Sequence, residues 1–154
     1  MIKKTIISIT SLIFGVLVAF ILDSFLKDFI IEIYTWSTND RIIFSGKNLT
    51  IFPPLLSLVS FGVSFLILSL DACNNSFTEN RKIGAYWLLR FIFLIVLTSS
   101  IQAQFRIVEC TACQFGIRHM SYNELQYGLT ISIATLLSSI LNLVRVIKKA
   151  YNTI

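Results

Sequence analysis

The side chains with the most chemical potential stand together in VECTACQFGIRHMSYNE, residues 108–124, as Cys110, Cys113 and His119. Four uses of this spacing compete. Attachment of a c-type haem needs a histidine directly after the second cysteine, and Gln114 stands there instead. A structural zinc site wants four ligands, usually as two close pairs. Cys110, Cys113 and His119 supply three, with Glu109 or Glu124 a strained fourth, so neither a metal nor another cofactor is expected. A redox pair is chemically reasonable, because C-x-x-C lowers a thiol pKa and Arg118 or His119 could stabilise a thiolate. The plainest reading is a structural Cys110–Cys113 disulfide pinning a short loop outside the cytoplasm, where such bonds persist. The third cysteine, Cys73, is expected to be a free small residue on the opposite side of the membrane.

Other catalytic signatures are absent from the sequence. There is no G-x-x-x-x-G-K-[ST], no H-E-x-x-H and no G-x-S-x-G. One histidine leaves little for acid–base work. The carboxylates are scattered rather than paired. The expectation leans away from an enzyme.

The elements that must position these residues are read from hydropathy. The chain has 154 residues, 55% of them hydrophobic and 14% charged, with a mean hydropathy of +0.78. Soluble domains carry nearer a quarter charged residues. A net charge of +5 could suggest nucleic acid, but the basic residues do not cluster on one face as that reading requires. They stand at the ends of apolar runs, and no nucleic-acid partner is expected. Four runs are long enough to cross hydrocarbon: 5–22, 53–70, 84–101 and 125–147. Four buried helices in so short a soluble chain would leave too little polar surface to cover them. The first run follows Lys3 and Lys4 as a signal peptide would. It is longer than a usual signal core and lacks a clear small-x-small site before Asp23, so it reads as an uncleaved anchor.

Basic residues set the direction. Lys3 and Lys4, Arg81 and Lys82, and Arg145, Lys148 and Lys149 fall on one side, expected to be cytoplasmic. Lys27, Arg41, Lys47, Arg106 and Arg118 fall on the other, offset by Asp23, Asp28, Glu32, Asp40, Glu109 and Glu124. Both termini are then cytoplasmic, and loops 23–52 and 102–124 lie outside. The expected fold is an all-α membrane protein, one polytopic domain over residues 1–154. It is a four-transmembrane-helix bundle with a small extracytoplasmic cap. The membrane would be a bacterial cytoplasmic (inner) membrane.

Helices in lipid associate through close packing of small residues and a few hydrogen bonds. Gly128, Ser132, Thr135, Ser139 and Asn142 form a heptad seam on the fourth span, suited to a left-handed crossing. Ser57, Ser60 and Ser64 offer a similar face on the second, and Gly15 and Ala19 a small-xxx-small pair on the first. Packing is the leading use of these stripes, with a polar path or substrate pocket the alternative. Arg90 is the one charge inside a span. It is expected to snorkel to the headgroups, or else to meet a polar group such as Asn142. No carboxylate is read within a span to pair with it, which weakens any pump or proton relay. Ser121 and Glu124 form a capping box at the start of the fourth span, and FPP starts the second, where proline is tolerated.

The outer loops have pattern of their own. RIIF, a polar SGKN turn and LTIF read as a β-hairpin, to which QFRIVEC could add a strand. The rival is that residues 23–35 extend the first helix beyond the bilayer. Tyr34, Trp36, Phe44, Phe52 and Tyr122 suit a headgroup zone. NLT at 48–50 is a glycosylation sequon, meaningful only in a secretory pathway.

Four apolar runs with CTAC at 110–113 before the last resemble the vitamin K epoxide reductase type of membrane thiol oxidase. The resemblance implies a four-helix fold and a thiol–disulfide activity at Cys110 and Cys113. Those families also use a second outer cysteine pair, which this chain lacks, and its CTAC is set back from the fourth run. The leading function is therefore non-catalytic: an accessory, immunity-type or exclusion-type protein acting by contact in the bilayer and at its outer face. The partner would be another membrane or extracytoplasmic protein, or a second copy. The alternatives are a thiol oxidoreductase using Cys110 and Cys113, and a small transporter or channel subunit.

Overall fold

A computed structural model describes residues 2–46, 53–73, 75, 77–108 and 117–151. Four long helices dominate: α1 Ile2–Ser37, α2 Leu55–Ala72, α3 Phe77–Val108 and α4 Tyr127–Tyr151. Each is long and apolar enough to cross a membrane. Two short strands, β1 Ile42–Ser45 and β2 Arg118–Ser121, lie at one end of the bundle. This is called the sheet end, and the opposite end, with Arg81, Lys82, Arg145, Lys148 and Lys149, the basic end.

The chain alternates direction, yet sequence neighbours are not always spatial neighbours. The packed pairs are chiefly α1 with α2, α2 with α4, α4 with α3, and α3 with α1. Helices α2 and α3 therefore face each other across the diagonal. Helices α2 and α4 run parallel, while α1 with α2 and α3 with α4 run antiparallel.

Small residues allow the close approaches. A Cβ on Gly15 would lie 2.7 Å from the Phe61 carbonyl oxygen and 3.0 Å from the Gly62 Cα. A Cβ on Gly128 would lie 2.5 Å from Pro54 Cγ. The first contact seats α1 on α2, and the second seats the start of α4 on the start of α2. Aromatic rings fill the diagonal: Trp87 stacks on Phe91 at 5.4 Å between centroids, and both meet Phe61 edge-on. Outside, Ile6, Ile13, Phe14, Leu17, Phe20 and Ile21 are exposed on α1 alone. An apolar surface of that extent is not tolerated against water.

Helix α1 continues well past its apolar first half. Its 36 residues make it about 54 Å long, against about 30 Å of hydrocarbon. The extension over residues 23–37 is helical because Leu26, Ile30, Ile33 and Tyr34 are buried at helical spacing. It ends where Asn39 and Asp40 adopt positive φ values of 50° and 58°, a conformation these two residue types tolerate. The Asp40 amide then donates to the Thr35 carbonyl at 3.0 Å, closing the helix terminus.

Two expectations for the cap are corrected. Where a hairpin is expected, the described strand Ile42–Ser45 pairs in parallel with Arg118–Ser121, with Ile42 opposite Arg118 and Phe44 opposite Met120. The hairpin's second arm, 49–52, lies outside the described residues. The segment before the cysteines does not become a strand, because α3 continues through Arg106 to Val108. The physical reason is common to both. The long helices α1 and α3 lie side by side, and β1 reaches the chain that leads into α4 rather than folding back locally. Ile42 and Met120, both 1% exposed, bury the underside of this two-stranded sheet.

The capping box is present, with Ser121 accepting from the Asn123 amide and Glu124 accepting from the Ser121 amide. It caps a single 3-10 turn, Tyr122–Glu124, rather than α4 itself, which begins at Tyr127. Pro54 is the N-cap of α2, and its carbonyl accepts from both the amide and the hydroxyl of Ser57.

Candidate functional site

The polar residues of α2 and α4 face each other along the bundle axis. Ser57, Ser60, Ser64, Gly128, Ser132, Thr135, Ser139 and Asn142 are all buried, as is Ala19 on α1. Most of the hydroxyls turn back to their own helices. Ser60 donates to Leu56 O at 2.8 Å, Ser132 to Gly128 O at 2.6 Å, and Thr135 to Ile131 O. Two of the seam hydroxyls also meet another helix. Ser64 Oγ donates to Thr135 O at 3.1 Å, and Trp87 Nε1 donates to Ser139 Oγ at 2.9 Å. A seam whose hydroxyls are largely spent on backbone carbonyls is suited to packing, although the buried Asn142 Nδ2 has no hydrogen-bond partner among the described residues.

Arg90 does meet Asn142. Its guanidinium donates to Asn142 Oδ1 at 3.1 Å, and its Nε to the Tyr86 carbonyl at 3.1 Å. Partnership within the bundle thus takes the place of simple snorkelling. Asn142 is fully buried. An arginine drawn onto its amide carbonyl is a compact solution, because the planar fork needs an acceptor that helices rarely leave over.

The seam ends at the basic end in a charged cluster. Asp71, in the last turn of α2, is 0% exposed. Lys149 Nζ donates to Asp71 Oδ1 at 2.8 Å, to Asp71 O at 3.2 Å and to Asn75 Oδ1 at 3.0 Å. Arg145 NH1 stands 3.9 Å from Asp71 Oδ2, an ion pair without a hydrogen bond. Asn75 Nδ2 returns to the Asp71 carbonyl at 2.8 Å, and Asn80 of α3 donates to the Ala72 carbonyl at 3.3 Å. The carboxylate at a helix C-terminus opposes the helix dipole, and the two cations from α4 offset that. This cluster locks α2, α3 and α4 together at one end.

Asp71 escapes a hydropathy reading because the apolar run of the second span ends at residue 70, whereas α2 continues to Ala72. The signal was there: Ser57, Ser60 and Ser64 continue at heptad spacing through Ile67 to Asp71. On α4, Lys149 stands one heptad beyond Asn142.

At the sheet end the knot is neutral. Gln102 Oε1 accepts from Tyr34 OH at 3.0 Å and from Thr130 Oγ1 at 2.9 Å, joining α1, α3 and α4. Lys27 is 3% exposed, with its ammonium 4.9 Å above the Tyr127 ring. Gln104 Nε2 donates to the Ser37 carbonyl, and Arg118 to the Arg106 carbonyl. Phe44 stacks against Tyr122 at 5.6 Å and tilts onto Tyr34 at 6.0 Å.

Beside this knot, along the extended half of α1, lies an open groove. One part, about 500 Å³, is lined by Phe25, Asp28, Phe29, Ile31, Glu32 and Tyr122. The adjoining part, about 420 Å³, adds Trp36 and Asp40 and shares Phe29 and Glu32. Phe25 is 66% exposed and Trp36 75% exposed. Residues 25, 28, 29, 32 and 36 share one helical face, so rings and carboxylates alternate along it.

Cys110 and Cys113 lie outside the described residues, and so do the disulfide and redox readings that rest on them. Cys73 is an exposed free thiol, and His119 is exposed on β2. Among the described residues no group of three His, Cys, Asp or Glu side chains is placed to hold a metal ion. No family model, curated protein or solved structure matches the chain.

Proposed function

We propose that this chain is an integral membrane protein that acts by contact rather than by catalysis. It serves as an accessory, immunity-type or exclusion-type component that engages another protein, or a second copy, through the extended half of α1. The observation that carries the reading is the groove on residues 25–36. A helix that passes beyond its apolar half and still presents Phe25 and Trp36 exposed, between Asp28, Glu32 and Asp40, has the composition of a binding face. Aromatic rings supply contact area with little rotamer entropy to lose. The carboxylates select a partner whose facing surface is basic.

In this reading the basic end faces the cytoplasm, with both termini, and the sheet end faces outward. The membrane is a bacterial cytoplasmic membrane. The excess of lysine and arginine at one end supports that direction. The polar seam supports contact over transport, since its hydroxyls donate largely to their own helices.

Purification in a mild detergent tests the proposal. A partner or a defined homo-oligomer should co-purify, and Trp36→Ala with Asp28→Asn should release it while the protein stays at normal abundance. Repeated recovery of a lone monomer, or retention of the partner by the variant, would count against it.

A further inference from the structure

The charged cluster at the basic end borders a cavity of about 310 Å³. Its walls come from the end of α2, Asn75 in the connection, the first turns of α3 and the last turns of α4. Three cations line it, Lys82, Arg145 and Lys149, against two carboxylates, Asp71 and Glu79. Asp71 is buried beneath Lys149, whose ammonium it shares with Asn75. The accessible lining therefore sets Lys82, Arg145 and the part-exposed Lys149 against the single exposed carboxylate Glu79, and is net positive. Arg145 is held 3.9 Å from Asp71 Oδ2, short of a hydrogen bond, and its side chain is 51% exposed. Its planar fork thus keeps donors for an outside acceptor.

The walls change character away from the charges. Lys82 is followed at helical spacing by Tyr86, Leu89 and Phe93, each more than half exposed. Arg145 is preceded at helical spacing by Leu141 and Leu137, 55% and 45% exposed. Helix α3 runs from the basic end and α4 towards it, so both apolar stripes lead from the cations into the span. A polar mouth with two cations above apolar rails is the shape that receives a phosphate carried on an acyl chain.

We propose that this cavity binds a phosphate group between Lys82 and Arg145. Two sources share that chemistry: the headgroup of an anionic phospholipid, and free phosphate. Two experiments on the full-length chain separate them. In the first, the protein is reconstituted in nanodiscs of phosphatidylcholine with a minority of phosphatidylglycerol, and retained lipids are read by native mass spectrometry. In the second, delipidated protein in neutral detergent is titrated with inorganic phosphate while its melting temperature is followed.

A lipid site predicts retention of phosphatidylglycerol above its share of the disc, falling about tenfold in Lys82→Gln, the loss of roughly one charge-assisted hydrogen bond. Lys82 is exposed, so this variant should fold normally. Arg145→Gln provides the second arm, and its effect should exceed that of Lys148→Gln, which changes charge outside the cavity. A free-phosphate site predicts a saturable rise in melting temperature with no lipid preference, again lost in Lys82→Gln. If neither enrichment nor a melting shift occurs, the proposal fails. It also fails if an enrichment or a melting shift does occur but is the same in Lys82→Gln, Arg145→Gln and the unaltered chain.

Discussion

The clearest energetic consequence of the structure is an asymmetry at Asp71 and Lys149. Lys149 Nζ makes three hydrogen bonds within the cluster, and its side chain is 38% exposed, whereas Asp71 has no exposure. Among the described residues, Lys149→Met leaves the buried carboxylate with Arg145 alone, 3.9 Å away. Stripping a buried ion of its partner typically costs about 3–5 kcal/mol. Exposure of Lys149 and the remaining Arg145 reduce this to about 2–3 kcal/mol, since partly exposed pairs are screened. Asp71→Asn keeps the shape and an acceptor oxygen, and the cations it abandons can turn to water. That change should cost only about 1 kcal/mol, the scale of one net hydrogen bond. The double variant Asp71→Asn/Lys149→Met should then be more stable than Lys149→Met alone. Reversible unfolding in mixed micelles, followed by Trp fluorescence, reads all four proteins of the cycle. Equal and additive effects of the two single changes would refute the reasoning, because they would mean that no buried charge is left stranded.

Other consequences follow from the packing. Gly128→Ala should destabilise by about 1–3 kcal/mol, the usual scale of overpacking, because the rigid Pro54 ring stands 2.5 Å from the new Cβ; Pro54→Ala should recover part of it in the same unfolding assay. Asn142→Leu removes the acceptor for Arg90 and should lower thermal stability, whereas Arg90→Leu/Asn142→Leu should be closer to the unaltered protein. Cys73, exposed at the basic end, should react with a membrane-impermeant maleimide in a Cys110→Ser/Cys113→Ser variant only after cell lysis; labelling in intact cells would reverse the proposed direction.

The apolar cores of the four helices were legible because hydropathy alone determines them. The ends were not. Charges at Asp23, Lys27, Asp28 and Glu32 stop a hydropathy window, yet Leu26, Ile30, Ile33 and Tyr34 keep the helical period beneath them, and α1 runs on to Ser37, as the rival reading of residues 23–35 expects. The pairing of β1 with β2 had no such signal. RIIF and IRHM are both short and locally ambiguous, and their parallel register is imposed by where α1 ends and α4 begins. Asp71 shows a different failure. A carboxylate next to an apolar run reads as the boundary of the span, although heptad continuity places it on the buried face. Arg90 and Asn142 were paired as a possibility from polarity alone, and the distance between them decides it.

The central claim is that the extended half of α1 is a contact face. A photo-activatable residue placed at position 25 or 36, with a control at position 13 in the exposed apolar half of α1, tests it most directly in living cells. The account predicts discrete protein adducts from positions 25 and 36, lost on Asp28→Asn/Glu32→Gln, and lipid adducts alone from position 13. Lipid adducts alone from all three positions would contradict it.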